Sequence, residues 1–598
     1  MIHRTIMVRK WISQEFTFDV MWPRGGEELA SRYFDEFIER NFIQLVQYGN
    51  YLGEEIYEVN NMMHNVLRWL SQEDNFATAF SDGGISRAYA HSIHLSIECS
   101  GSQLAVYAKE MSTVIRSITI VGPVKFYLDC DLQRLRVLDL DGCKELDSSA
   151  MPHICHMNNL MYLSLKHTQV IEIPPEIGEL KELNTLNISL TEISNLPPEI
   201  GELKYLKTLD AMRTKISCIP PDIEELQNLE TLDVRRTQVK ELPKEIVQLP
   251  KLARLYFGQI SSPRGVKLPV GSDQMKSVKV LGTVDSREWS GSAMEEIGGL
   301  RGVREIEVVL HDQPADKDQN DKLLSSIGKL ENLELLVIHG DYNPSDELPY
   351  FPLLERLKVV GRFVKVPLWL AHLTTLRQLY VRVCKLDRDD LKILGGLLGL
   401  SNLGVALVCI PWKKEVAITD RLHSSTCADL PPLQEETCPA GFTSLQIFSF
   451  DCRVPWISFG QGAMPGLKHL HLKLYACPAG KFPSGITNLH SLEKITLQYS
   501  PEYASSGGVT KAVAAVREEA SSHRNLIDLS VNGYHEELLP NTTRVDETVT
   551  GTPEIEEDSN HGNRIELPVD ADQEVLDARV DETTTAGTET QEASFQPW

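Results

Sequence analysis

With 598 residues, 42% of them apolar and 24% charged, the chain has ordinary globular composition and is long enough for several packed units. A formal net charge of −25 excludes nucleic acid and anionic membrane from the expected partners. The opening residues, Met1 to Ile12, lack the apolar core of a signal peptide, and no apolar run reaches the roughly 18 residues of a membrane helix. The 11 cysteines are scattered without a C-x-x-C pair, which points to reduced thiols and a cytoplasmic protein, with the nucleus as a second compartment. In that setting the sequons at Asn187 and Asn541 carry no glycan.

Residues 1–90 show no repeat. Gly26 to Arg40 sets Leu29, Tyr33, Phe34, Phe37 and Ile38 on one helical face. Phe42 to Tyr48 and Glu55 to Val59 read as strands joined by the Asn50/Gly53 turn, and Met62 to Ser71 reads as a second helix. Helix, hairpin and helix in this compass suggest a small winged-helix-like unit.

From about Ser92 short apolar strands alternate with connectors, as in His94 to Ile97 and Ser117 to Ile120, and these read as degenerate first repeats. A strict beat follows. Leu160, Leu183, Leu206, Leu229 and Leu252 open L-x-x-L-x-(apolar) blocks, and Thr168, Thr191, Thr214 and Thr237 keep the same 23-residue step as Pro174, Pro197, Pro220 and Pro243. A fixed period in this range is a leucine-rich repeat array, whose units stack on their neighbours and present an extended concave surface. Within each block the leucines point inward, so Tyr162, Ser164 and Lys166 face the concave side. The threonine is expected to turn its hydroxyl onto backbone groups at the bend. Proline then fixes the crossing to the convex side, where Ile177, Ile200, Ile223 and Ile246 plug the core.

After Phe257 the period loosens, but the strand signature persists through Leu526-x-x-Leu529-x-Val531, with insertions at His311 to Asp321 and Pro411 to Ala440 and an inserted helix at Gly508 to Ala520. From Pro540 to Trp598 there are 15 acidic residues against 3 arginines, with few large apolar residues and a phrase repeated at Arg544 to Thr548 and Arg579 to Thr583. Such a segment is expected to be disordered. The expected fold class is therefore α/β. A winged-helix-like α+β unit (1–90) is followed by a leucine-rich repeat solenoid (91–538, regular over 132–260 and degenerate after) and an acidic disordered tail (539–598).

Catalytic signatures are missing. Gly507 to Lys511 has the ingredients of a phosphate loop but neither its spacing nor a preceding strand, and no G-x-S-x-G or H-E-x-x-H occurs. Cys155 between His153 and His156 lacks a fourth ligand and reads as a structural thiol. No enzyme activity, cofactor, metal or small-molecule substrate is expected. The candidate site is instead a basic stripe of partner-binding residues, Lys166, His167, Arg213, Arg235 and Arg236, on an otherwise acidic protein. The competing reading is a solvated face in which Asp210 and Asp233 pair with the arginines across strands.

The repeat phrase Thr-x-(Val/Ile)-x-x-(Leu/Ile)-Pro-x-x-Ile-x-x-Leu and the run Leu135 to Cys143 resemble the plant intracellular coiled-coil, nucleotide-binding, leucine-rich-repeat disease resistance proteins, in their cereal form. Arg9 to Phe16 is similar to their winged-helix motif, and Glu27 to Arg40 to the helix after it. On this resemblance the chain begins inside the winged helix, without the coiled coil or the nucleotide-binding core. The family's Met/Val-His-Asp motif, whose histidine contacts nucleotide in the resting receptor, falls on Val59, Asn60 and Asn61; as residues, these asparagines read as a strand-to-helix cap. The resemblance implies innate immunity through protein–protein recognition. The implied partners are a pathogen effector, a guarded host protein or a full-length receptor. The rival is a cytosolic leucine-rich repeat scaffold or adaptor for small-GTPase or kinase signalling, which would keep its period throughout and would lack Trp11 and the Glu27 to Arg40 pattern.

Overall fold

A computed structural model describes residues 2–14, 26–48, 55–73, 77–81, 93–98, 105–107, 114–128, 132–143, 146–258, 266–287, 291–311, 313–340, 349, 351–384, 386, 388–407, 442–452, 457–474, 483–499, 507–531 and 534–536. The Asn50/Gly53 turn, the tail expected from 539, the Pro411 to Ala440 insertion and Asn541 lie outside these residues.

The N-terminal unit contains three helices, α1 (Arg4–Ser13), α2 (Gly26–Glu39) and α3 (Asn61–Glu73). Strand Glu55–Val59 pairs antiparallel with both Ile43–Tyr48 and the short Ile2–His3. Its core is Val8, Ala30, Phe34, Ile43 and Tyr57, with Trp11 edge-on to Phe37 at 5.6 Å. The aromatic spacing of α2 thus does what its helical period implies. Asn60 caps α3, its side-chain oxygen accepting from the Met62 N–H at 3.0 Å, so it serves the helix start as the cap reading requires. α3 leaves Met62, Val66, Leu67, Trp69 and Leu70 exposed.

The repeat sheet begins earlier than the sequence suggests. Strand Ala77–Ser81 already pairs in parallel with His94–Glu98, and parallel pairing continues strand by strand to Asp528–Val531, where Tyr534–Glu536 adds antiparallel. The alanines of the first strand lack the leucine signature, which hid it. In the regular stretch Leu160, Leu183, Leu206 and Leu229 are fully buried, as are Ile177, Ile200, Ile223 and Ile246. Pro174, Pro197, Pro220 and Pro243 hold φ between −77° and −65° and each opens a 3-10 turn that carries its isoleucine inward. Units pack closely on this side: a Cβ on Gly201 would lie 2.6 Å from the Asp222 carbonyl oxygen of the next repeat. The helix Gly507–Ser521 lies where the sequence placed one.

The bend after each strand accounts for its polar groups twice over. The hydroxyls of Thr168, Thr191, Thr214 and Thr237 donate to the carbonyls of Leu165, Ile188, Ala211 and Val234 at 2.6–2.8 Å, the role expected of the threonine ladder. The residue before each threonine is left-handed: His167, Leu190, Arg213 and Arg236 have φ of 56–59°, and Gly122 and Gly142 hold positive φ at the matching place in the preceding repeats. That geometry turns each N–H toward the next repeat, so that His167 donates to the Ser189 carbonyl, Leu190 to Met212, Arg213 to Arg235 and Arg236 to Gly258, all at 2.8–3.0 Å. His167, Arg213 and Arg236 are therefore turn residues and not strand positions, and they hold a conformation that costs a non-glycine residue roughly 1 kcal/mol.

Two measurements check these accounts. Thr191→Val keeps the volume but strands the Ile188 carbonyl, and should lower stability by about 1–2 kcal/mol in chemical denaturation. Burial pushes the imidazoles of His469 and His471 down to about 4 and about 3, so below their ordinary value of 6.5 the unfolded chain binds more protons than the native one. Stability is accordingly retained at neutral pH and lost as pH falls from about 6.5 through 4. The thermal midpoint should drop between pH 7.5 and 5, and His471→Gln should shrink that drop.

Candidate functional site on the concave face

Outward-facing residues of the sheet stand in rows fixed by strand register. One row runs Ser117, Val137, Tyr162, Thr185, Thr208, Thr231, Arg254; the next runs Thr119, Asp139, Ser164, Asn187, Asp210, Asp233, Tyr256. The second row is acidic for a local reason. Asn187, Asp210 and Asp233 each end a strand, and their Oδ1 accepts the N–H two residues on, from Ser189, Met212 and Arg235, at 3.0–3.1 Å. These Asx turns complete the bend begun by the strand. They also line carboxylates side by side, and burial, followed by the neighbouring Asp233, raises the Asp210 carboxyl well above the usual carboxylate range.

Helix α1 lies over these rows. One side of it, Val8, Trp11 and Ile12, packs into the N-terminal unit, which leaves Arg9 and Lys10 on the other side. The Lys10 ammonium meets the Asp139 carboxylate at 2.5 Å, with both side chains at least four-fifths buried, and lies 5.7 Å from the Tyr162 ring centroid. Lys10 also reaches the Thr119 hydroxyl at 3.4 Å. Arg9 donates to the Thr231 hydroxyl at 3.5 Å and Gln14 to Ser117 at 2.9 Å. Tyr162, Ser164, Thr185, Thr208 and Thr231 are buried, although they point outward from the sheet. Two cations on one helix thus face the stretch of sheet where carboxylates accumulate.

The five residues of the expected basic stripe do not form one surface. Lys166 is half buried and paired to Asp141 at 2.8 Å. Arg235 is buried: its guanidinium holds both oxygens of Asp233 on its own strand at 2.5–3.1 Å and sits 4.6 Å from the Tyr256 ring centroid. The expectation of an exposed Arg235 fails because its side chain folds back two residues, rather than crossing to the next strand, to neutralise a buried carboxylate. His167 and Arg213 are exposed and Arg236 is half exposed, all on the turn edge. Sequence reasoning set Tyr162 on the concave side and Arg9 and Lys10 in the winged-helix-like motif but assigned no contact to them or to Asp139; the recurring Leu-Asp at strand ends was the available signal. Val59 ends its strand, Asn60 caps α3 and Asn61 opens it, and no His/Cys/Asp/Glu group suited to a metal occurs among the described residues. Cys155 is fully buried, which pushes its thiol up to about 12.

If the Lys10–Asp139 pair fastens the N-terminal unit to the repeats, Lys10→Glu should destabilise by about 3 kcal/mol in chemical denaturation, since it leaves two carboxylates facing each other in a dry site. Adding Asp139→Lys should recover part of that loss, with a coupling of about 1–3 kcal/mol in the double-mutant cycle.

A family model described as a leucine-rich repeat region matches residues 114–213 and 200–529. The chain is 33% identical to the disease resistance protein Pikm1-TS of Oryza sativa subsp. japonica, over 95% of this chain and 48% of that protein. It is 26% identical to the disease resistance protein PIK6-NP of the same organism, over 83% of this chain and 47% of that one. It therefore spans about half the length of the curated relatives it matches. Among solved structures, a leucine-rich repeat protein of Leptospira interrogans aligns at 18% identity over 75% of this chain and 99% of its own, with a TM-score of 0.38. No helix among the described residues is long and apolar enough to cross a membrane. The chain belongs to the leucine-rich repeat family, and over most of its length it is similar in sequence to disease resistance proteins of a cereal.

Proposed function

We propose that this chain is a recognition component of plant innate immunity that works in the cytoplasm by protein binding, without catalysis, and that α1 holds part of its concave surface. The observation that carries this reading is the seating of Arg9, Lys10 and Gln14 on strands Ser117–Val121, Val137–Asp139 and Thr231–Asp233. A surface used for recognition gains specificity when an intramolecular occupant must be displaced, because a partner then competes with a contact of defined strength. The partners this reading implies are a pathogen effector, a guarded host protein or a full-length receptor. The turn-edge residues His167, Arg213 and Arg236 remain candidates for contact, whereas Arg235 and Lys166 serve the array.

The scaffold reading draws no support from the later strands, which lengthen from three residues to as many as eight after Phe257 and so depart from a uniform repeat. The test is co-precipitation of the full chain with a full-length receptor of the matched class in challenged and unchallenged leaf cells. Wild type is compared with an Arg9→Ala/Lys10→Ala variant. Association that changes with challenge, and strengthens in the variant, is the expected result. No association in either condition, with small GTPases recovered instead, would reject the immune reading.

A further inference from the structure

The strand ends of the acidic row do not all use their side chains alike. Asn187, Asp210 and Asp233 each turn Oδ1 onto the N–H two residues on, and Asp285, farther along the sheet, accepts from the Arg287 N–H in the same way at 2.9 Å. Asp139 sits in a matching bend. The Leu140 N–H donates to the Ser164 carbonyl and the Gly142 N–H to that of Lys166, both at 2.9 Å, as Ala211 and Arg213 donate to the carbonyls of Asp233 and Arg235. Gly142 holds the left-handed place with φ of 81°. The Asp139 side chain nevertheless leaves its turn open: Oδ2 meets the Lys10 ammonium, and Oδ1 is buried without a hydrogen-bond partner.

A buried acceptor with no donor is costly, and a donor of the right kind is two residues away, because the Asp141 N–H occupies the place from which Ser189, Met212 and Arg235 close their turns. An ionic partner as such does not open a turn. Asp233 and Asp285 keep theirs closed while bonded to Arg235 and His311, which lie on the same strand or after it. Lys10 differs in coming from α1 and in reaching Thr119 on the preceding strand, so it draws the Asp139 carboxylate back, away from its own bend.

We propose that Asp139 is a two-position element that couples the seat of α1 to the bend of its own repeat. With Lys10 seated the turn is open; when α1 leaves, Oδ1 swings to the Asp141 N–H and closes it. The closing bond offsets part of what release loses, so α1 is held less firmly than its ion pair alone implies. The bend is tied to its neighbours, since the Asp141 carbonyl accepts from the Gly122 N–H at 2.9 Å and its carboxylate from Lys166 at 2.8 Å. A partner that stiffens this edge therefore favours the released helix, and release favours that partner by the same factor. This deepens the recognition role proposed above, and calling the release regulatory rests on that role.

Hydrogen exchange of the full-length chain, resolved at single amides by mass spectrometry, reads both positions. Lys10→Met keeps the stem beside Tyr162 and removes the charge; exchange across Arg4–Ser13 should quicken while the Asp141 amide slows severalfold, which loss of cover alone would not produce. Asp139→Asn should slow it likewise, because Asn187 closes its own turn with an amide oxygen. Lys10→Met combined with Asp139→Ala should free the helix with no slowing at Asp141. An Asp141 amide that exchanges as fast or faster in Lys10→Met, or a slowing that survives Asp139→Ala, would overturn the coupling. Thermal denaturation checks that each variant is folded; should Lys10→Met unfold, Asp139→Asn decides by the same criterion. If the exchange pattern fails while the chain still associates with a receptor in leaf cells, the coupling is rejected and the recognition role stands. If the pattern holds without association, the coupling stands and its regulatory use is rejected.

Discussion

Everything in this chain depends on a unit that cannot bury its own leucines. A strand of three residues and a 3-10 turn expose their apolar side until the next copy covers it, so one repeat makes sense only between two others. Stacking solves the apolar problem and creates a polar one, because every bend then brings buried N–H and C=O groups against the neighbouring bend. The repeat meets that demand with three devices in a few residues: a carboxylate or amide at the strand end, a left-handed residue two or three places on, and a threonine hydroxyl directly after it. Two of the three keep bonds within the repeat and the left-handed N–H crosses to the next, so local folding and stacking are specified together.

The same economy shapes the outer face. Because strand ends call for Asn or Asp, a parallel sheet in strict register gathers them into a row whose charge is a by-product of turn chemistry. That row must be neutralised, and the protein does so in two ways. Arg235 folds back on Asp233 within its own strand, and Lys10 arrives from a helix more than a hundred residues away in sequence to meet Asp139. Farther along the sheet the balance reverses, with four cations on two adjacent strands. A single surface thus carries one region rich in carboxylates and another rich in cations.

What could be read from the sequence divides along physical lines. The core leucines, the isoleucine plugs, the prolines and the threonine hydroxyls were legible because each answers a local demand that recurs every 23 residues. Helix α2 and the hairpin were legible from one aromatic face and one turn. The left-handed backbone at His167 and Arg213 was hidden, since neither residue advertises positive φ; Gly122 and Gly142, at the matching place in the preceding repeats, were the clue. The exposure of Arg235 was misjudged because alternation describes which way a side chain leaves the strand and not where a long one ends. The seating of α1 was out of reach. Its contacts join Arg9 to Thr231 and Lys10 to Asp139, and no periodicity couples positions so distant.

Since Asn187, Asp210 and Asp233 are committed to closing strands, substitutions there are paid for in the backbone before any ligand is met. The adjacent row, Ser117, Val137, Tyr162, Thr185, Thr208, Thr231 and Arg254, closes no such turn and runs from serine and valine through tyrosine and three threonines to arginine. A lineage under pressure to alter what it detects could therefore vary half of the face while the other half keeps the array standing. The solenoid separates a register bound to turn chemistry from one that is not, interleaved at the spacing of a single strand pleat.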